Sequence, residues 1–249
     1  MRILFTVCGR AGSKGIKNKN IRDFLGKPLA YYTVSAIDLY LKQHEDMEYD
    51  IAVNSDSDKL LELMDKNSMR PVELIVRDQS LAGDTIGKID VICNCLSEME
   101  QRKKIKYDIV VDLDITSPLR RVNDLEELIR VHAEKSPDVT TSVTTARRNP
   151  YFNQVKKVDK GVKKVIDSNY TARQQAPEIF DMNASLYAYS PAFLKSGKGV
   201  LDGYCEAIEM FDTAVLDLDH ENDFELMEVI AEYLFEKYED FKEIRYNIR

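Results

Sequence analysis

The sequence predicts an α/β fold with a mostly parallel sheet and helices on both faces. Three observations carry this. Apolar runs of strand length recur along the chain, amphipathic segments of helical period separate them, and the two alternate in order. A chain of 249 residues suits one such domain with an elaboration and buries a full core without disulfides.

The strand-like runs are residues 3–7 (ILFTV), 51–53 (IAV), 72–76, 109–113 (IVVDL) and 139–143. Between them, residues 28–41, 58–67, 85–99 and 124–133 place apolar side chains at i, i+3 and i+4, as helices packing one face on a sheet do. The rhythm breaks near Arg147-Arg148-Asn149-Pro150. There "YFNQVKKVDKGVKKVIDSN" alternates in short runs around Asp159-Lys160-Gly161, a hairpin signal. Residues of about 145–190 are therefore expected to form a β-rich insertion within a single domain spanning 1–249. A final helix is expected from Asn222 as cap, with Glu225 three residues on, burying Phe224, Met227, Ala231, Leu234 and Tyr238.

Bulk charge narrows the function. The formal net charge is −8, from 35 basic and 43 acidic residues, which disfavours a nucleic-acid backbone or an anionic membrane as main partner. Any anionic ligand must meet a local basic patch. No apolar segment approaches the ~20 residues needed to span a bilayer, and the opening residues enter a strand-like run without a signal-type apolar region. A cytoplasmic protein is expected. The four cysteines (Cys8, Cys93, Cys95, Cys205) include no Cys-x-x-Cys and no histidine at zinc-ligand spacing, so they read as neutral thiols.

The local basic patch follows the first strand. "CGRAGSKGIKNKN" concentrates Arg10, Lys14, Lys17 and Lys19 in a loop with glycines at 9, 12 and 15. In an open α/β sheet such a loop borders the crevice outside the strand ends. Glycines let backbone N–H groups approach a phosphate, and Lys or Arg supplies the charge. The spacing excludes a Walker A loop and a Gly-x-Gly-x-x-Gly dinucleotide fingerprint. On composition alone, a basic surface loop without ligand remains the competing reading.

The order Arg10-Ala11-Gly12-Ser13-Lys14-Gly15, then Lys19-Asn20, resembles the N-terminal signature of the acylneuraminate cytidylyltransferases. Further matching blocks follow in order: "NSDSDKL" (54–60), Arg77 with "LAGDT" (81–85), "TSPLR" (116–120), "ARRNPYFN" (146–153), "RQQAP" (173–177), "DMNAS" (181–185) and "LDLD" (216–219). The blocks "VDLDITSPLR", "RRNPYFN" and "IFDMNASLY" look most like the branch that activates legionaminic acid. Asp114 stands where enzymes for N-acetylneuraminic acid usually carry Gln.

This resemblance implies a Rossmann-like three-layer nucleotide-diphospho-sugar transferase fold. It also implies transfer of CMP from CTP to the anomeric hydroxyl of a nonulosonic acid, N,N′-diacetyllegionaminic acid being favoured, with release of pyrophosphate. CMP-N-acetylneuraminate synthesis is the alternative, and a catalytically silent nucleotide-binding relative is the alternative of another class. By resemblance, Arg10 and Lys19 hold the triphosphate and stabilise the leaving pyrophosphate. Gly12, Ser13 and Lys14 cradle phosphate oxygens, Asn20 contacts the nucleotide, and Arg77 reaches the cytosine beside Asp84 and Thr85. Read without the family, the 81–85 stretch is better described as a solvated loop in which Asp84 caps a helix, and only the family pattern reverses that.

"LDLD" places Asp217 and Asp219 on one side of an extended segment, because side chains alternate with period two. Two convergent carboxylates suit Mg²⁺, and the resemblance assigns the metal to this pair, with Asp217 also in the catalytic set. Bare Asp-x-Asp also caps helices at strand ends, and His220 reads as a neighbour. A second Asp-x-Asp, Asp112 and Asp114, ends the 109–113 run and is assigned to the sugar side with its role open. An extra carboxylate there repels the sugar's own carboxylate unless a cation or donor intervenes. Arg173, Gln174 and Asn183 match the family's sugar side, for carboxylate and amide. The resemblance also implies a homodimer formed through the insertion, which completes the neighbour's sugar pocket. A plain surface hairpin is the competing account of Arg147 and Arg148.

Overall fold

The computed structural model describes all residues except 13, 14, 17, 84, 85 and 219, and the backbone alone of Val215. In chain order the elements begin with β1 (Arg2–Gly9), the short pair β2 (Asp23–Phe24) and β3 (Lys27–Pro28), α1 (Leu29–Gln43), β4 (Glu48–Ser55) and α2 (Asp58–Asp65). Next come β5 (Glu73–Val76), α3 (Lys88–Lys103), β6 (Ile109–Leu113), α4 (Val122–Lys135) and β7 (Val139–Thr145). The chain closes with β8 (Val155–Lys157), β9 (Val162–Lys164), β10 (Phe180–Tyr189), α5 (Pro191–Leu194), β11 (Cys205–Glu209), α6 (Glu221–Lys237) and α7 (Glu239–Asn247).

Seven strands form the main sheet in the order β11-β7-β10-β6-β1-β4-β5. Every pairing is parallel except those of β10, which runs antiparallel between β6 and β7. The predicted α/β class and mostly parallel sheet are thus present. Period two sorts β1: Ile3, Phe5 and Val7 pack into a core with α1, α2, α4, α6 and α7, while Leu4 faces the opposite layer with Ile92, Leu96 and Met99 of α3 and Phe193 of α5. Each such fully buried side chain contributes ~1.5–3 kcal/mol, which fixes the strand register that aims the loops.

After β1 the chain builds β4 and β5 on one side and then crosses to β6 on the other. The carboxyl ends of β1 and β6 therefore lie side by side where the strand order reverses, and a crevice opens outside them.

Three expectations change in detail. The excursion from the sheet is narrower than 145–190, because residues 180–189 pair with β6 and β7 as a strand of the main sheet. What remains outside includes the predicted hairpin, with Val155 opposite Lys164, Lys157 opposite Val162, and Gly161 at φ 82° in its turn. A residue with a Cβ disfavours that φ. The helix expected from Asn222, α6, starts at Glu221. His220 is its cap residue, and the Asp223 carboxylate accepts from the His220 N–H at 2.7 Å, two residues earlier than the Asn222–Glu225 box. Phe224, Met227, Ala231 and Leu234 are buried as expected, whereas Tyr238 ends the helix and packs against Phe211 and Phe241. Finally, α3 begins at Lys88 because Gly87 takes an extended cap conformation.

Candidate nucleotide and sugar-acid site

A crevice of about 440 Å³ lies at this switch point, lined among others by Gly9, Arg10, Lys19, Asn20, Arg77, Lys88, Asp114 and Thr116. Four predicted nucleotide residues from separate stretches, Arg10, Lys19, Asn20 and Arg77, thus share one wall system with Asp114.

The first loop is fixed at its root by close approach. A Cβ on Gly9 would stand 2.5 Å from Leu60 Cδ2, 3.0 Å from Asn20 Nδ2 and 3.0 Å from Ile115 Cδ1. Only glycine lets β1 end this near α2 and the segment after β6. Asn20 Nδ2 donates to the Arg10 carbonyl at 3.1 Å, which closes the loop back on itself. Gly12 is exposed, with open space where a Cβ would go. Ser13 and Lys14 lie outside the described residues.

The same loop meets the segment before α6. Lys19 Nζ donates to the Leu218 carbonyl, and Arg22 pairs with Glu221 while its guanidinium lies 4.0 Å over the Phe224 ring. These contacts bring Leu218 and Glu221 beside Lys19 and Arg22 across about 200 residues of sequence. Asp217 is half-buried and its Oδ1 accepts from the Leu218 N–H at 2.9 Å. Asp219 lies outside the described residues. Among the described residues no three His, Cys, Asp or Glu side chains group to hold a metal.

Arg77 is buried, an unusual position for a guanidinium, and Asn54 explains it. Arg77 Nε donates to Asn54 Oδ1 at 2.7 Å and Nη2 to the Asn54 carbonyl at 3.0 Å, while Asn54 Nδ2 donates to Asn94 Oδ1 at 3.3 Å. The chain Asn94–Asn54–Arg77 aims the guanidinium into the crevice. Asp84 and Thr85, expected beside it, lie outside the described residues.

On the β6 side the sequence reading missed one residue. Lys88 Nζ lies 2.7 Å from Asp112 Oδ2 and 2.6 Å from Asp114 Oδ2. It is the cation that the two carboxylates require. Asp112 is fully buried and its Oδ1 accepts from Thr6 Oγ1 at 2.8 Å; Asp114 Oδ1 accepts from Thr116 N and Oγ1, both at 2.9 Å. Burial opposes ionisation of Asp114, but Lys88 and the Thr116 hydrogen bonds prevail and hold its pKa down to about 2. Burial likewise opposes the Lys88 charge, and Asp112 and Asp114 outweigh it, raising its pKa well above the ordinary lysine value. Both are charged at neutral pH. Beneath them Arg120 is 1% exposed, donating to the carbonyls of Asp114 and Ser117. A signal for Lys88 was available: a cation on the first turn of a helix opposes the macrodipole, so its presence there needs a local reason.

The remaining sugar-side expectations are not in this crevice. Arg173 Nη2 donates to the Ala146 carbonyl at 2.8 Å, and Arg173 and Gln174 line a separate cleft of about 390 Å³ with Asn149 and Pro177. Asn183 is buried. Its Oδ1 accepts from Ser142 Oγ at 2.5 Å and from Ser185 N at 3.2 Å, which stabilises the register break of β10 where Ala184 takes φ 53°. The four cysteines are free, and burial raises the pKa of Cys93 and Cys205, as neutral thiols require.

A glycine-bordered basic crevice at an α/β switch point is the architecture of a nucleotide-binding transferase. The fold is that of solved nucleotidyltransferases. The structure of CMP:2-keto-3-deoxy-manno-octonic acid synthetase complexed with CTP superposes with a TM-score of 0.64, at 14% identity, covering 94% of this chain and 99% of that one. The cytidylyltransferase family model matches residues 4–247, and the chain belongs to that family. Two relatives are similar over nearly their full length. Post-translational flagellin modification protein B of Campylobacter coli is 33% identical over 229 residues, 92% of this chain and 94% of that protein. CMP-N,N′-diacetyllegionaminic acid synthase of Campylobacter jejuni is 32% identical with the same coverage. The chain is accordingly a CTP-dependent nucleotidyltransferase.

Proposed function

We propose that this enzyme transfers CMP from CTP to the anomeric hydroxyl of a nonulosonic acid, N,N′-diacetyllegionaminic acid, releasing pyrophosphate. The observation that carries the proposal is the shared crevice of Arg10, Lys19, Asn20 and Arg77, faced by the Lys88-bridged carboxylates. The 32% identical Campylobacter jejuni synthase supports the sugar.

The anomeric oxygen forms a bond to the α-phosphorus as the bond to the β-phosphate bridging oxygen breaks, and the hydroxyl proton leaves to solvent. Such a displacement is accelerated mainly by positioning and charge stabilisation. Arg10 and Lys19 neutralise charge gathering on the departing pyrophosphate. Asn54 holds Arg77 toward the base, and Asn20 keeps the loop closed. Asp217 and Asp219 would hold Mg²⁺, which when bound neutralises phosphate charge and lowers the pKa of the attacking hydroxyl.

The reading includes a cytoplasmic homodimer built on the excursion between β7 and β10. Its support is the exposure of Val155 (57%), Val162 (64%) and Phe180 (42%), apolar side chains that a second copy would cover. Among the described residues no helix is long and apolar enough to cross a membrane.

The test is pyrophosphate release with CTP and Mg²⁺, offering N,N′-diacetyllegionaminic acid and N-acetylneuraminic acid in parallel, with Lys19→Ala as control. Preference for the former, lost in Lys19→Ala, is expected. Preference for N-acetylneuraminic acid would overturn the sugar assignment and leave the reaction class intact.

A further inference from the structure

Lys88 has donor capacity that its carboxylate partners do not exhaust. An ammonium carries three N–H donors, and the contacts to Asp112 and Asp114 occupy at most two of them. Its side chain is 34% exposed and lines the crevice, so the remaining donor is within reach of a molecule bound there.

The surroundings restrict what that ligand group can be. Lys88 with Asp112 and Asp114 carries a net charge of one minus, and the buried Arg120 brings the cluster only to neutrality. A phosphate or carboxylate gains nothing from such a cluster. The carboxylate oxygens of Asp114 already accept from Thr116 N, Thr116 Oγ1 and Lys88, and Asp112 is sealed from the crevice. The wall therefore offers a donor and little free acceptor capacity. A hydroxyl needs both, whereas an amide carbonyl only accepts.

Resting on the proposed function, we propose that Lys88 is a specificity-determining residue whose free N–H donates to the carbonyl of an acylamino substituent on the sugar acid. Asp112 and Asp114 are its positioning partners: they fix the ammonium and cancel the attraction that a bare cation would exert on the wrong, anionic part of either substrate. Selectivity then arises because an analogue without the acyl group leaves the donor unpaired in a partly desolvated wall.

The experiment compares the wild type with Lys88→Met and with the double variant Lys88→Met/Asp112→Asn, which removes the ammonium while keeping the cluster's net charge. The sugar substrates are N,N′-diacetyllegionaminic acid and the analogue with hydroxyls in place of both acylamino groups, read as substrate or as competitive inhibitor. The expected result is a loss of about 10- to 100-fold in kcat/KM for the diacetyl sugar in both variants. The KM for CTP and the affinity for the hydroxyl analogue should stay within about twofold, so discrimination between the two sugars collapses. Equal losses for both sugars, or a CTP KM that rises with the sugar KM, would overturn the proposal. If Lys88→Met does not fold, the charge-matched double variant decides. A wild type inactive with every nonulosonic acid defeats the proposed function itself, an outcome distinct from a wild type that discriminates and variants that discriminate equally well.

Discussion

Gly9→Ala tests whether the nucleotide loop is set by steric contact at the end of β1. The added methyl would fall 2.5 Å from Leu60 Cδ2 and 3.0 Å from both Ile115 Cδ1 and Asn20 Nδ2. Leu60 and Ile115 are buried in the core, so neither swings aside into solvent. Forcing an extra methyl into packed surroundings costs about 1–3 kcal/mol. For a chain of this length each kcal/mol lowers Tm by ~2–4 °C, giving a fall of ~2–12 °C by calorimetry. Asn20 is the side chain freest to yield, and its movement breaks the 3.1 Å bond to the Arg10 carbonyl. Losing a hydrogen bond of ~0.5–1.5 kcal/mol raises the KM for CTP by roughly 2- to 12-fold. An unchanged Tm with an unchanged CTP KM would refute the steric account.

Two further outcomes follow from buried polar groups. Burial lowers the pKa of His132 to about 4, and its Nδ1 lies 2.9 Å from Thr140 Oγ1. The unfolded chain takes the proton near pH ~6.5 and the folded one only near 4, so stability falls as pH drops through that window, by up to about 3 kcal/mol. Urea titrations from pH 7 to pH 4 should show this slope in the wild type and a shallower one in His132→Gln; parallel slopes would refute it. Asn54→Ala should leave the Arg77 guanidinium without its Nε acceptor, raising the CTP KM about tenfold with little effect on the sugar KM. Equal rises in both would show that Asn54 acts on the fold and not on Arg77.

How much was readable beforehand depended on whether the signal was local. Periodicity located all five expected strands and the helices between them, since burial on one or both faces writes itself into apolar spacing. Gly161 announced its turn because a positive φ restricts the residue. Arg10, Lys19, Asn20 and Arg77, which the family pattern singles out, line one crevice. β10 is not distinguishable in the sequence from the β-rich excursion before it, because a lone antiparallel strand inside a parallel sheet has no pattern of its own. Asn183 was legible as part of a motif, yet its side chain turns inward to a buried hydrogen-bond pair with Ser142.

The sequence by itself determined the α/β class, the order of elements, the basic first loop and the membership of the cytidylyltransferase family. Each of these is encoded in short-range spacing or in contiguous motifs. Only the tertiary structure decided that Lys88 stands between Asp112 and Asp114, that Asn54 holds Arg77, and that Lys19 reaches the Leu218 carbonyl. Those contacts join residues tens to hundreds of positions apart. Charge pairing at 2.6–2.7 Å depends on where the start of α3 meets the end of β6, and no linear spacing records it.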